Sequence, residues 1–240
     1  MNPDVAPVRP SEDPPANPSQ DPGALADAPR GESSTRLVFV RHATTSHNVR
    51  AVISSASPGP GITAGGREQA RNLAASLNET GIDALYASPL RRARQTATIL
   101  GRQRGLIPVV MPELRECDVG ALEGRGDAVA FGRYHEVWDR WLAGQELERP
   151  LGEMGETGES ALGRMRKAIE FIRSEHSNGT VVLVSHMGLL HFTLNLLLRN
   201  VLPAWTAERP IPNTGVIVAS YGPEGLLCET WCGAAPRTTR

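Results

Sequence analysis

Leu37-Val38-Phe39-Val40-Arg41-His42 is the stretch whose reading decides the fold. Four large apolar residues make a short hydrophobic strand, which ends abruptly on a permanent cation and an imidazole. In an open α/β sheet the carboxyl ends of strands are where ligands and chemistry collect. The same arrangement recurs downstream, where Thr180-Val181-Val182-Leu183-Val184-Ser185 runs into His186. Two histidines at two strand ends, with arginines beside them, suggest an anion meeting an imidazole.

Working outward, apolar runs alternate with helical patterns. Thr63 can cap a helix over residues 65–78, with Ala70, Leu73, Ala74 and Leu77 on one face. Residues 82–87 read as a strand, 91–104 as a helix and 107–111 as a short strand. The glycine-, charge- and aromatic-rich stretch 119–159 holds a helix over 134–142. Leu162, Met165, Ile169 and Ile172 mark another amphipathic face, and a mostly apolar helix follows over 188–198. Two last strands, 215–221 and 226–232, flank the turn Gly222-Pro223-Glu224-Gly225. This alternation predicts a three-layer α/β/α domain whose mostly parallel, doubly wound sheet carries one antiparallel edge strand.

The chain has 240 residues, enough for one such domain with a sizeable core. Residues 1–34 are proline-rich and poor in large apolar side chains, so they are expected to be disordered, with the folded domain over 35–240. A formal net charge of -1 argues against nucleic acid held by bulk charge. No stretch is apolar for long enough to span a bilayer, and the acidic N-terminus does not read as a signal peptide. Three cysteines, Cys117, Cys228 and Cys232, point to a reducing, cytoplasmic compartment. Cys228 and Cys232 supply at most two metal ligands and read as small apolar side chains of the last strand; no metal site is expected. Lys167 is the only lysine. Such an excess of arginine reads first as compositional bias, so an anion-binding role must rest on individual arginines.

Four segments can carry chemistry. A neutral imidazole at His42 is a competent nucleophile toward phosphorus, and a guanidinium at Arg41 can neutralise phosphate bidentately. Ser88-Pro89-Leu90-Arg91-Arg92-Ala93-Arg94-Gln95-Thr96 opens a helix, whose N-terminus attracts anions. Within Leu114-Arg115-Glu116-Cys117-Asp118-Val119-Gly120, a carboxyl group could protonate a leaving alkoxide. In Val184-Ser185-His186-Met187-Gly188, a second imidazole, as a cation, would stabilise the oxygens of a transferring phosphoryl group. Each segment has a bland reading as well: a core histidine, a solvated basic helix face, a surface turn.

Their conjunction resembles the histidine phosphatase (phosphoglycerate mutase-like) superfamily over about residues 36–221. Arg41-His42 matches its signature, followed by Thr44-Thr45 and Asn48. Ile62-Thr63-Ala64-Gly65-Gly66-Arg67-Glu68-Gln69-Ala70 and the 88–96 segment match two further patterns, the second picking Arg92 as the pocket arginine. Glu123-Gly124, Gly158-Glu159-Ser160 and Asn213-Thr214-Gly215 match recurring short pieces. The chain departs from the pattern at Ala43 and Met187, where the family usually has glycine, and at Thr44, where it usually has Glu or Gln.

The resemblance implies a branch 1 phosphatase that needs no metal or other cofactor and hydrolyses a small phosphomonoester through a phosphohistidine on His42. Arg41, Arg92 and His186 would surround the phosphoryl group, with Glu116 as proton donor and acceptor. Thr45, Asn48 and Met187 would add substrate contacts. A small cap insertion is expected at about 121–159, with Phe131, Tyr134, Trp138 and Trp141 either lining the leaving-group side or packing the cap helix. Alternatives are a mutase-type phosphotransferase and a catalytically silent binding protein. The sequence names no substrate and sets no oligomeric state; a homodimer is compatible with it.

Overall fold

The computed structural model describes residues 34–77 and 81–236. Nearly all of the proline-rich N-terminal extension, 1–33, lies outside them, so the expectation made for it falls outside the described residues. Six strands form one sheet in the order β3-β2-β4-β1-β5-β6. They are β1 Thr35–Arg41, β2 Ala84–Ala87, β3 Val109–Val110, β4 Thr180–Ser185, β5 Val216–Gly222 and β6 Gly225–Trp231. Seven helices accompany them: α1 Ser46–Val49, α2 Ala64–Ser76, α3 Arg91–Arg102, α4 Ala128–Leu142, α5 Gly158–Glu175, α6 Met187–Leu197 and α7 Pro203–Ala207.

The central strands have no polar face because both sides are covered. Leu37 and Phe39 join one core with Trp138 and Trp141 of α4, Met165 of α5 and Leu189 of α6. Val38 and Val40 join the other, with Leu73 and Ala74 of α2 and Ala93, Ala97 and Leu100 of α3. This two-sided burial is why the strand is an unbroken apolar run. The helices start on side-chain caps: Thr63 accepts from the Gly66 amide (2.9 Å), Asp127 from Ala130 (3.0 Å) and Thr157 from Ser160 (3.2 Å).

Three local readings change and one open alternative closes. The antiparallel strand is β5, which lies between β1 and β6; the edge strand β6 turns back and runs in the direction of β1. β3 shrinks to two residues between Pro108 and Pro112, neither of which can donate to a ladder. α4 begins six residues earlier than its apolar pattern indicated, because Asp127 caps it. Trp138 and Trp141 do not line a pocket: they are 4% and 0% exposed and pack on Phe192 of α6, the Trp141 and Phe192 ring centroids 5.0 Å apart. No helix among the described residues is long and apolar enough to cross a membrane.

Candidate active site

Strand register brings the two histidines together. In the parallel β1–β4 pair Arg41 lies opposite Ser185, so His42 and His186 are the next residues on adjacent strands. The His42 amide donates to the Ser185 carbonyl (2.9 Å), and the two ring centroids are 5.2 Å apart. On the other side of β4, β2 delivers Ser88, whose amide donates to the Val184 carbonyl (2.9 Å). α3 then starts, with Arg92 in its first turn pointing back over the strand ends.

Arg92 ties the centre together. Its Nε donates to both His42 Nε2 (3.1 Å) and His186 Nδ1 (3.2 Å), and its Nη2 donates to the Ser54 carbonyl (3.0 Å). These contacts set the tautomers. His42 Nδ1 lies 2.8 Å from the Ala43 carbonyl, which can only accept, so Nδ1 carries the proton and Nε2 the lone pair. His186 Nδ1 accepts, so its Nε2 donates to Ser88 Oγ (2.6 Å). Burial, reinforced by the Arg92 charge, pushes both imidazoles well below 6.5, so both are neutral near pH 7. His186 is thus neutral in the ligand-free protein, and the cationic state expected of it belongs to a centre that holds a phosphoryl group.

Arg41 sits opposite. Its Nη1 donates to the Ile211 carbonyl (2.6 Å); burial lowers its pKa to about 10, with Glu116 working in the other direction, so it stays charged. Two buried guanidinium nitrogens, Arg41 Nε and Arg92 Nη1, have no partner among the described residues. A buried charged donor left unpaired is costly, and an anion supplying acceptors relieves it.

Glu116 is fixed by the start of α6. Its Oε1 accepts from the amides of Cys117 (2.9 Å) and Leu189 (2.7 Å), and its Oε2 from Gly188 (3.1 Å). The carboxylate thereby caps a helix whose own cap residue, His186, offers no side-chain bond. Gly188 is required here: a Cβ on it would lie 2.7 Å from Glu116 Oε1. Behind Glu116, Arg164 of α5 donates to the carbonyls of Glu113 and Arg115 and forms a buried ion pair with Glu156 (2.8 Å).

The cavity in front of these groups has a volume of about 380 Å³. Every residue expected in the site lines it or touches a residue that does: Arg41, His42, Thr45, Asn48, Arg92, Glu116 and Met187 line it, and His186 is held behind Arg92. Thr45 and Asn48 bond chiefly to each other as a reciprocal cap of α1, and Asn213 Nδ2 donates to the His42 carbonyl (2.9 Å). Of the four aromatics, Phe131 and Tyr134 reach the cavity. Thr44 joins the framework through its backbone, its amide donating to Gln69 Oε1 (3.1 Å).

Ser88, Gly188, His47 and His135 were not singled out from the sequence. Ser88 and Gly188 stand inside quoted motifs, but only three-dimensional contact reveals their partners. His47 and His135 enter the cavity wall from separate elements with no pattern to mark them. Among the described residues no group of three or more His, Cys, Asp or Glu is arranged to hold a metal ion.

Comparison with known proteins agrees with this geometry. The sequence model of the histidine phosphatase superfamily (branch 1) matches residues 37–233. The chain is 32% identical over 197 residues to "Probable phosphoglycerate mutase GpmB" of Shigella boydii serotype 18, covering 82% of this chain and 89% of that protein. It is 26% identical to mycobacterial glucosyl-3-phosphoglycerate phosphatase, solved with VO3, over 83% of this chain and 99% of that one, with a TM-score of 0.71. The α-ribazole phosphatase of Shigella flexneri shares the fold at 23% identity, with a TM-score of 0.67 over 85% of this chain and 99% of that one. With paired strand-end histidines, the intervening arginine and a match spanning nearly the whole described region, the chain belongs to branch 1 of the histidine phosphatase superfamily.

Proposed function

We propose that the protein hydrolyses a small phosphomonoester through a covalent phosphohistidine on His42. The observation that carries this reading is the Arg92 bridge between two neutral imidazoles, with buried, unpaired guanidinium nitrogens on Arg41 and Arg92. Phosphate oxygens replace the imidazoles as acceptors for Arg92, which frees the His42 Nε2 lone pair. The phosphomonoester binds as its monoanion and hands its proton to the Glu116 carboxylate; the N–P bond then forms as the ester P–O bond breaks in line, and Glu116 passes that proton to the departing oxygen. Water then attacks phosphorus, its proton passes to Glu116, and the N–P bond breaks to release phosphate. Positioning and compensation of the equatorial charge supply most of the barrier reduction in phosphoryl transfer.

Hydrolysis rather than mutase chemistry is supported by the cavity wall. Among the described residues Arg41 and Arg92 are the only lysine or arginine side chains lining it; the rest of the wall includes Phe131, Tyr134, Leu151 and Met187, with the imidazoles of His47 and His135. A mutase must hold a doubly phosphorylated intermediate while it turns, which calls for a second cationic cage. The similarity to the Shigella mutase-named protein favours the second reading, phosphotransfer between two positions of one substrate.

Incubation with a ³²P-phosphomonoester in EDTA separates these. Hydrolysis predicts free phosphate and an acid-labile label on wild-type protein, absent from His42→Ala. Label returning to organic product would favour the mutase. Undiminished turnover by His42→Ala would end both readings, and no turnover on a broad ester panel would favour a silent binding protein.

A further inference from the structure

A second concavity, of about 760 Å³, lies on the other side of α3, between α2 and α3. Five arginines line it: Arg67 and Arg71 from α2, and Arg91, Arg94 and Arg102 from α3. Their spacing makes two facing rows, i and i+4 on one helix and i, i+3 and i+11 on the other, so each row lies on one helix face. All five are exposed. Arg71 pairs with Glu68 and Arg67 bonds the Ile62 carbonyl, but the side chains of Arg91, Arg94 and Arg102 have neither an ion pair nor a hydrogen-bond acceptor among the described residues. Elsewhere Arg125 is met by Asp127, Arg149 by Glu136 and Glu146 and Arg173 by Glu170, while Arg50, Arg133 and Arg166 are exposed singly without a carboxylate among the described residues, so it is the clustering of unpaired arginines around one groove that sets this face apart. A net charge of -1 for the whole chain makes this cluster a local feature and not the face of a basic protein. Like charges three or four residues apart destabilise a helix unless something neutralises them.

We propose that this groove binds a linear, phosphate-rich polyanion of the inorganic polyphosphate class, at a site separate from the catalytic cavity. The lining fits that class. Its other polar groups are Gln95, Thr98 and Gln103, and among the described residues no carboxylate lines it to repel an anion. Among the described residues no aromatic ring lines it, so a nucleobase has nothing there to stack on. From Arg91 to Arg102 the cationic row extends about 16 Å along the helix axis at 1.5 Å per residue, longer than a single phosphate group can use. Guanidinium forks match phosphate oxygens in pairs. α3 is thus two-faced: Arg92 turns to the catalytic centre, while Arg91, Arg94 and Arg102 turn away from it.

The test is calorimetric titration of tripolyphosphate into the full chain with its catalytic cavity saturated by orthovanadate. The expected result is one tripolyphosphate per chain, bound at least tenfold more weakly by Arg94→Glu/Arg102→Glu and by the milder Arg91→Gln/Arg94→Gln. Affinity should also fall steeply as salt is raised. Both variants should hydrolyse p-nitrophenyl phosphate at the wild-type rate without polyanion, which separates lost binding from lost folding. Absence of binding to wild type, or equal affinity in the variants, overturns the proposal. So does tighter binding of poly-glutamate or of a deoxythymidine oligomer through the same arginines, which would assign the groove to an acidic protein or to nucleic acid.

Discussion

Replacing Gly188 by alanine tests whether Glu116 is the proton donor without touching any charged group. The new Cβ would stand 2.7 Å from Glu116 Oε1, 3.1 Å from Cδ and 3.2 Å from Oε2, against the roughly 3.5–4 Å of an ordinary contact. The carboxylate must retreat by about 0.5–1 Å. It is anchored by amides at 2.7, 2.9 and 3.1 Å, so retreat sacrifices at least one charge-assisted bond, about 1.5–3 kcal/mol. Alanine in place of glycine in α6 returns about 0.8–1 kcal/mol of helix preference. Stability should fall by only about 0.5–2 kcal/mol, measured by urea unfolding. Activity should fall further, since displaced acid–base groups cost roughly 10²–10⁴-fold. The loss should depend on the leaving group: large for an alkyl phosphate, whose alkoxide needs a proton, and small for p-nitrophenyl phosphate, whose phenolate does not. Equal losses of kcat/KM on both substrates, a ratio that reports transfer to His42 and not the later hydrolysis that Glu116 also serves, would refute the assignment of Glu116 as donor, and an unchanged kcat/KM on the alkyl ester would refute the steric argument.

Three further outcomes follow from the geometry. Arg92→Lys keeps the charge but removes the Nε–H that reaches both imidazoles and the fork that reaches Ser54, so kcat should drop about 10²–10³-fold with the fold retained, checked by steady-state kinetics and circular dichroism. His42, His186 and His191 all have folded pKa values pushed below 6.5, chiefly by burial. Their contribution to stability is full above pH 6.5 and is lost as pH falls below it, at up to about 1.4 kcal/mol per pH unit for each, because the unfolded chain then binds more protons. Urea midpoints that stay flat from pH 7 to pH 5 would contradict this. Glu156→Gln leaves Arg164 buried without its ion-pair partner and should cost about 3–5 kcal/mol in urea unfolding. Because Arg164 also holds the Arg115 carbonyl, the same variant should lose kcat through the segment bearing Glu116.

Much of this molecule is legible in one dimension. The apolar runs at 37–40 and 181–184 read as strands covered on both faces, since four β-branched, leucine or aromatic residues bounded by polar breaks are too short for a buried helix. Thr63 announces α2 because a cap is a local bond between a side chain and an amide three residues on. His42 and His186 stand out because strand ends are where chemistry sits in this class of fold, whereas Glu116 is picked out only by the family resemblance.

What escapes the sequence is whatever depends on which elements become neighbours. Trp138 and Trp141 share a helix face with Tyr134, yet they enter the core, because Phe192, some fifty residues away, packs against them. The placement of β5 inside the sheet depends on pairing with both β1 and β6. The charge state of His186 depends on how deeply it is buried and on Arg92, 94 residues away. The sequence by itself determined the alternating strand–helix architecture and the residue types of the proposed phosphate cage, because periodicity, capping and motif spacing are short-range. Only the tertiary structure decided that one guanidinium bridges two neutral imidazoles and that Gly188 shapes the seat of Glu116, because desolvation and steric contact arise between segments brought together by packing.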